Sequence, residues 1–389
     1  MYTTDEVLTA HKKTGGKLAI TPTVPLATKK DLSIAYTPGV ADICRLIAKN
    51  PSEAYEYTIK KNAVAVVTDG SAVLGLGNIG PEAALPVMEG KAILFKQFGG
   101  VDAYPICLNT QNPDEIVSIV KAIAPGFGGI NLEDISAPRC FEIEEKLQDI
   151  GIPVLHDDQH GTAIVVLAGL LNACKVTKRN IKDVRVVISG AGAAGTAICN
   201  MLTDNTTGTN SVHVKDVIVC DTKGIIGHHR TDLPEYKKKI ADRTNSEKKS
   251  GTLQDALKNA DVFIGVSAPN VLTEPMIRGM NNHPIIFAMA NPVPEIMPDQ
   301  AHHAGAAVVA TGRSDFPNQV NNALVFPGLF RGALDHRIPR FTSTMKIAAA
   351  HALAACVKNP TAEKIVPTLF EKNVALSIAA AVGELAQKR

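Results

Sequence analysis

Four carboxylates stand in two pairs, Glu133-Asp134 and Asp157-Asp158, with Asp158 placed 24 residues after Asp134. A glycine-rich loop, Gly190-Ala-Gly-Ala-Ala-Gly195, begins 32 residues after Asp158. Oxygen ligands at this density suit a hard divalent cation, Mg2+ or Mn2+; a sulfur or imidazole site needs Cys and His at ligand spacing, which these segments lack. The glycine loop suits a dinucleotide, so the pattern pairs a Lewis acid with a redox cofactor. Each part also has an ordinary reading. Glu133-Asp134 alone fits a helix N-terminus, and His156-Asp-Asp-Gln-His160 alone fits a polar loop before a helix, its histidines being capping or surface groups.

Two GxGxxG segments compete for the dinucleotide, Gly75-Leu-Gly77-Asn-Ile-Gly80 and Gly190-Ala-Gly192-Ala193-Ala194-Gly195. The fingerprint requires a strand entering the loop, a helix opening behind it, and an acid ending the next strand. The second segment meets all three conditions, with Val-Val-Ile-Ser before it, Thr196 to Leu202 after it, and Asp221 closing Val-Ile-Val-Cys. Asp221 follows Gly195 by 26 residues, more than the usual ~20, and the polar loop Thr206-Thr-Gly-Thr-Asn-Ser absorbs the excess. In the first segment Asp102 precedes its strand, so a tight turn or a substrate-side loop is the better reading.

The elements that must position these groups alternate. Ala63 to Thr68, Ala103 to Leu108, Ile130 to Leu132 and Pro153 to Leu155 read as strands, with helices from Pro113 through Ala124 and around Arg139 to Ile150. A long apolar helix, Gly161 to Cys174, begins after the second acidic pair. Strands at Val184 to Ser189, Val217 to Asp221, Val262 to Val266, Ile285 to Ala288 and Ala307 to Ala310 follow. The Lys-rich stretch from Leu233 to Gly251 reads as a solvated excursion. Helices from Lys346 to Val357 and Val374 to Leu385 close the chain. The fold class is α/β, with a Rossmann-type parallel-sheet dinucleotide domain at 161–330. An α/β substrate and metal domain at 1–160 is completed by C-terminal helices at 331–389, and the cleft between the domains is the expected site.

Composition narrows the partners. The 389 residues carry 40 Lys and Arg against 38 Asp and Glu, a formal charge of +2, which leaves no electrostatic footprint for nucleic acid or an anionic membrane. Seven dispersed cysteines without a CxxC pair read as apolar fillers in a reducing compartment. No basic leader precedes an apolar core, and no apolar run approaches the roughly 20 residues of a membrane span. A soluble cytoplasmic protein acting on a small molecule is expected. With no tryptophan and few aromatics, Ala, Val, Ile and Leu must fill the interior, as in parallel sheets covered by helices.

Four more segments join the loop at 190: Ala35-Tyr36-Thr-Pro-Gly-Val, Met88-Glu-Gly-Lys91-Ala, Asn131-Leu-Glu133-Asp134-Ile and His156-Asp157-Asp158-Gln-His160-Gly-Thr-Ala. In this order they resemble the malic enzymes, in the short bacterial form without a fused acyltransferase-like domain, over nearly the whole chain. The resemblance implies that Glu133, Asp134 and Asp158 bind Mg2+ or Mn2+. It implies that Tyr36 is a general acid and that Lys91 is the general base or its partner, with Asp157 holding a ligand or Lys91 in place. Gly190, Gly192, Ala193, Ala194, Gly195 and Asp221 then hold the dinucleotide, Asn291 contacts cofactor and substrate, and Asn322 contacts substrate. Alone, Tyr36 reads as a packed turn tyrosine, Lys91 as a solvated lysine, and the two asparagines as turn residues; joint occurrence reverses this.

The implied reaction is oxidative decarboxylation of L-malate to pyruvate and CO2, and it requires a lysine whose pKa is lowered by burial and neighbouring positive charge. Asp221 favours the ribose diol of NAD, while Lys223 offsets its charge and admits NADP. A homodimer or larger assembly is implied, with residues of two chains in one site. One departure stands out: large eukaryotic members carry an Arg where this chain reads Asp69-Gly-Ser-Ala72-Val, so another group must hold the substrate carboxylate. Malolactic turnover with retained NAD uses the same residues, and so does another β-hydroxyacid such as tartrate. A non-catalytic dinucleotide-binding module would have lost Tyr36, Lys91 or a metal carboxylate, and all are retained.

Overall fold

The computed structural model describes residues 3–204 and 212–387; the polar loop at 206–211 lies outside the described residues. The chain opens with α1 (Thr4–Thr14), α2 (Lys29–Ala35), α3 (Val40–Lys49) and the short α4 (Ala54–Tyr57). None of these helices buries a residue. Ile20 is 94% exposed, and Leu26, Ile34 and Tyr36 are more than half exposed.

A four-stranded sheet follows, built from β1 (Ala63–Thr68), β2 (Asp102–Cys107), β3 (Gly129–Leu132) and β4 (Val154–His156). Its order is β2-β1-β3-β4 with every pair parallel. All of β1 is buried while β2, at the edge, is half-buried throughout. This is what a parallel sheet covered on both faces requires, and it explains why β1 reads as an unbroken Ala/Val run. Helices α5 (Pro81–Gly99), α6 (Pro113–Ile123) and α7 (Arg139–Lys146) cover it. Helix α5 starts with Pro at its first turn and stops at Gly100 in the left-handed region.

The central helix α8 (Asp157–Val176) begins at the second acidic pair itself, four residues before the apolar stretch seen in the sequence. Asp157 and Asp158 occupy its first turn, where the helix dipole favours negative charge. The helix is apolar around its circumference because it is buried around its circumference.

The second sheet comprises β5 (Arg185–Ser189), β6 (Asp216–Asp221), β7 (Gly224–Ile225), β8 (Val262–Gly265), β9 (Ile285–Ala288) and β10 (Val308–Thr311). Its order is β10-β9-β8-β5-β6-β7, parallel except for the β6–β7 pair. Between its strands run α9 (Ala193–Leu202), α10 (Glu235–Ala241), α11 (Leu253–Leu257), α12 (Glu274–Arg278) and α13 (Pro298–His303). The Lys-rich excursion is only partly solvated: Leu233, Ile240, Ala241, Thr244 and Asn245 are buried in it. The chain ends in α14 (Phe326–Asp335), α15 (Ser343–Ala355) and α16 (Val374–Ala386). Helices α14 and α16 pack on each other and on α5, and α15 packs on α8. One apolar core therefore runs from Val64 and Val66 through α8 to Val186 and Ile188, with Phe326, Phe330 and Ile378 closing it.

Both sheets present a topological switch point, where strand order reverses and loops part at the carboxyl ends. In the first sheet this lies between β1 and β3, and in the second between β5 and β8. The two acidic pairs leave the ends of β3 and β4, and the loop at 190 leaves β5.

Candidate active site

A cleft of about 650 Å3 lies between the two sheets, lined by Lys91, Glu133, Asp134, Asp158, Ala194, Asn291 and Asn322, among others. Glu133 continues β3, its N–H donating to the Val67 carbonyl at 2.8 Å, and its Oε2 accepts from Asn131 Nδ2 at 2.9 Å. Asp134 then turns into the left-handed region, φ 55°, a conformation costly for a side-chain-bearing residue. That turn aims its carboxylate into the cleft beside Asp158, whose Oδ2 accepts the Asp134 N–H at 2.8 Å. Glu133, Asp134 and Asp158 each offer an oxygen, and these lie within 4.8 Å of one another. Asp134 Oδ2 is buried without a hydrogen-bond partner. An all-oxygen set with an unsatisfied buried carboxylate oxygen fits Mg2+ or Mn2+.

Lys91 reaches the same cluster from α5. Its Nζ lies 2.5 Å from Asp157 Oδ2, 2.9 Å from Glu133 Oε1 and 3.2 Å from Asn322 Oδ1, over the Phe326 ring at 4.5 Å. Burial acts to lower its pKa, but Asp157, Glu133 and Asp158 outweigh burial and raise it above the ordinary lysine value. The expectation of a lysine lowered by neighbouring positive charge is thus corrected: its neighbours are carboxylates. Burial raises the Asp157 carboxyl, with Lys91 opposing. Burial and the Asp158 charge push Asp134 up to about 8. Asp157 is itself fully enclosed, and its remaining oxygen, Oδ1, faces Gly161; a Cβ at that position would fall 1.9 Å from it.

On the opposite wall the glycine loop has the geometry its spacing suggests. A Cβ on Gly195 would sit 1.8 Å from the Gly190 carbonyl, so only glycine lets α9 approach the strand-end turn this closely. A Cβ on Gly192 meets nothing within 4 Å, leaving open space in front of the backbone where a pyrophosphate needs it. The other glycine loop is a tight turn on the cleft wall: Val73 bridges Gly77, and a Cβ on Gly75 would meet the Asn291 carbonyl at 2.2 Å.

Asp221 ends β6, yet its partners differ from expectation. Its Oδ1 accepts from Arg230 Nη1 at 2.7 Å and from the Lys223 backbone at 2.9 Å, and its Oδ2 from Lys237 Nζ at 2.6 Å. Burial acts to raise its pKa, and Arg230 and Lys237 bring it below the ordinary aspartate value. The Lys223 ammonium pairs with Asp232 instead. The offsetting charges thus come from Arg230 and from the Lys-rich excursion.

Tyr36 does not join the carboxylate cluster: it is 67% exposed and is not among the residues that line the cleft. The histidines are not surface groups. His156 is fully buried, its Nε2 3.7 Å from Asp158 Oδ2, and His160 Nε2 contacts Glu144 Oε2 at 2.9 Å. Glu144, on α7, was not visible as a site residue. Its carboxylate also accepts the His156 N–H at 3.0 Å and Gln159 Nε2 at 3.1 Å, bracing the turn that carries Asp157 and Asp158. Burial opposes its charge, but the His160 charge and hydrogen bond and the charges of Lys346 and His156 hold the carboxyl down at about 2. Glu295, likewise unassigned, accepts the Ser267 N–H at 3.0 Å and the Ala290 N–H at 2.9 Å, fixing two cleft loops; its signal lay in the Asn291-Pro-Val-Pro-Glu run. Among the described residues no helix is long and apolar enough to cross a membrane.

The family model for the malic enzyme N-terminal domain matches residues 15–148, and that for the malic enzyme NAD binding domain matches residues 159–387. The chain is 53% identical over 388 residues to the bifunctional malic/malolactic enzyme of Bacillus subtilis (strain 168), covering 99% of this chain and 93% of that one. It is 52% identical to the NAD-dependent malic enzyme of Geobacillus stearothermophilus, covering 96% and 77%. The crystal structure of an NAD-dependent malic enzyme from Thermotoga maritima superposes with a TM-score of 0.93 at 49% identity, covering 98% and 99% of the two chains. A metal-competent carboxylate cluster facing a dinucleotide loop, and likeness along the whole sequence, place the chain in the malic enzyme family.

Proposed function

We propose that the protein catalyses oxidative decarboxylation of L-malate: malate plus NAD+ gives pyruvate, CO2 and NADH. The observation that carries this reading is Lys91 held between Asp157 and Glu133 at the rim of the carboxylate cluster, in a cleft walled by the glycine loop. Glu133, Asp134 and Asp158 would hold Mg2+ or Mn2+, which would supply Lewis-acid stabilisation of the negative charge that develops on substrate oxygen. Lys91, a cation among these carboxylates, relays the C2 hydroxyl proton: its Nζ takes that proton as it gives one of its own to Asp157 Oδ2, so that Asp157 is the net acceptor. The nicotinamide, held from the glycine loop, would accept the C2 hydride. After CO2 departs, the Tyr36 hydroxyl protonates C3 of the enolate.

Among the described residues no arginine lines the cleft, whereas Asn291, Asn321 and Asn322 do. These amides take the place of the missing arginine in holding the substrate carboxylate, Asn291 serving the cofactor as well. Gly190, Gly192, Ala193, Ala194 and Gly195 receive the pyrophosphate and Asp221 faces the adenine ribose. NAD is the cofactor, and NADP is admitted because Arg230 and Lys237 offset Asp221. In this reading residues 1–160 with 331–389 form the substrate and metal domain, and 161–330 the dinucleotide domain.

The protein acts as a homodimer or larger assembly in the cytoplasm, and Tyr36 enters the cleft of a neighbouring copy. Its exposure, amid the uncovered apolar residues of the N-terminal arm, supports this arrangement. Malate-dependent, Mn2+-stimulated NAD(P)H formation by the pure protein tests the activity, and its absence refutes it. Mixing inactive Tyr36→Phe and Lys91→Met proteins tests the assembly: restored turnover supports shared sites, and none argues for each chain supplying its own tyrosine. The name of the Bacillus subtilis relative keeps malolactic turnover in view. Lactate formed without free NADH would replace the main reading.

A further inference from the structure

A second cavity, of about 360 Å3, lies away from the cleft, where α7 of the first sheet's layer meets α9 and α10 of the second. Phe141 and Tyr236 bridge the two sides there, ring centroids 5.3 Å apart. The charged groups on its walls are Glu144, Glu145, His160, Lys239, Arg243 and Lys346. Glu144 is occupied, its oxygens accepting three N–H donors. Lys346 is not. It stands in the first turn of α15, at the positive end of that helix, and its ammonium makes no hydrogen bond or ion pair with any described residue. Burial lowers its pKa and only the charge of Glu144 opposes this, so a half-buried cation lacks a contacting counter-ion. At the mouth Lys239 is likewise without a partner, and Arg243 has only a 3.4 Å bond to the Asn200 amide. Three cations that have no acid within contact distance among the described residues converge on one cavity.

We propose that this cavity is a regulatory site for a small oxyanion, a phosphate or a dicarboxylate, bound by Lys346 at the floor and by Arg243 and Lys239 at the mouth. Such a ligand ties α10 to α15 across the seam between the two layers. It also sits against Glu144 and His160, whose bond steadies the 156–160 turn that carries Asp157 and Asp158. Occupancy therefore reaches the cleft through the charge and packing it places beside the Glu144–His160 pair and the turn that pair braces, rather than by overlap with substrate.

Calorimetric titration of the full-length protein with inorganic phosphate, and separately with succinate, tests binding without relying on turnover. Saturable binding of either is expected, weakened about tenfold or more in both Lys346→Met and Arg243→Gln, and retained in Asp158→Asn. The tighter of the two anions identifies the ligand class. In malate turnover the same anion shifts KM or kcat at least about twofold in the wild type and in neither cavity variant. Failure of both anions to saturate by about 20 mM, or binding lost in Asp158→Asn and kept in Lys346→Met, overturns the site. Binding at the cavity with unchanged KM and kcat overturns its regulatory role.

Discussion

Gly161→Ala puts local preference and site geometry in direct opposition. Gly161 lies inside α8, where alanine is favoured over glycine by about 0.5–1 kcal/mol, so helix propensity alone makes the change stabilising. The added Cβ, however, would fall 1.9 Å from Asp157 Oδ1, whereas ordinary contact begins near 3.4 Å. Asp157 must retreat by about 1.5 Å, and Asn322 Cβ, 3.0 Å from the same point, closes one route. The 2.5 Å contact between Asp157 and Lys91 is then lost. Misplacing a reacting group by about 1 Å costs roughly a hundredfold in rate, near 2.7 kcal/mol in barrier. The expected result is kcat lower by about two orders of magnitude, with the KM for NAD and the unfolding midpoint little changed, because the helix gain offsets part of the weakened ion pair. Steady-state kinetics with a thermal scan read this directly. Asp157→Ser, which removes the clashing oxygen, provides the second arm of a double-mutant cycle, and adding Gly161→Ala to it should have no further effect. A kcat within about threefold of wild type, or the same loss in the Asp157→Ser background, refutes the steric argument.

Three more outcomes follow from the same geometry. Arg230→Ala exposes the Asp221 charge, so kcat/KM for NADP should fall about tenfold or more relative to that for NAD; an unchanged ratio would show that Arg230 does not govern the choice. Asp158→Asn should raise the Mn2+ concentration for half-activation by about 10- to 100-fold while fluorescence still detects NADH binding, and wild-type metal dependence would remove Asp158 from the ligand set. Asp134 keeps its proton to about pH 8 in the folded chain, against an ordinary value of 3.8, so the unfolded chain binds fewer protons between these limits. Stability of the metal-free protein therefore declines as pH rises through that window and levels above it. The unfolding-temperature gain from about 1 mM Mn2+ should grow from about pH 6 to about pH 8 and then flatten, and a gain independent of pH would contradict the linkage.

Much of this was legible in the residues because it is local. The strand, glycine loop and helix around 190 are contiguous, and β1 is an unbroken apolar run that only a covered parallel sheet tolerates. The start of α8 was misplaced because apolar periodicity begins after Gly161, while the acids before it satisfy the helix dipole rather than the core. Glu144 escaped notice because its partners lie 12 to 16 residues away on another element. Lys237 belongs to a run that reads as solvent-facing, yet it turns inward to Asp221. The elevated Lys91 pKa depends on α5, β3 and α8 converging, which spacing along the chain does not reveal.

The N-terminal arm, with no buried residue in its four helices and Ile20 almost wholly in solvent, is held to the rest of the chain by polar contacts such as Lys17–Glu89 and Arg337–Glu56 rather than by an apolar core. In the proposed assembly a neighbouring copy supplies its order, and that contribution obeys mass action. Dilution would then loosen this arm first and lower turnover per chain long before either sheet unfolds, so the amount of protein in the cell becomes one of the variables that sets its rate.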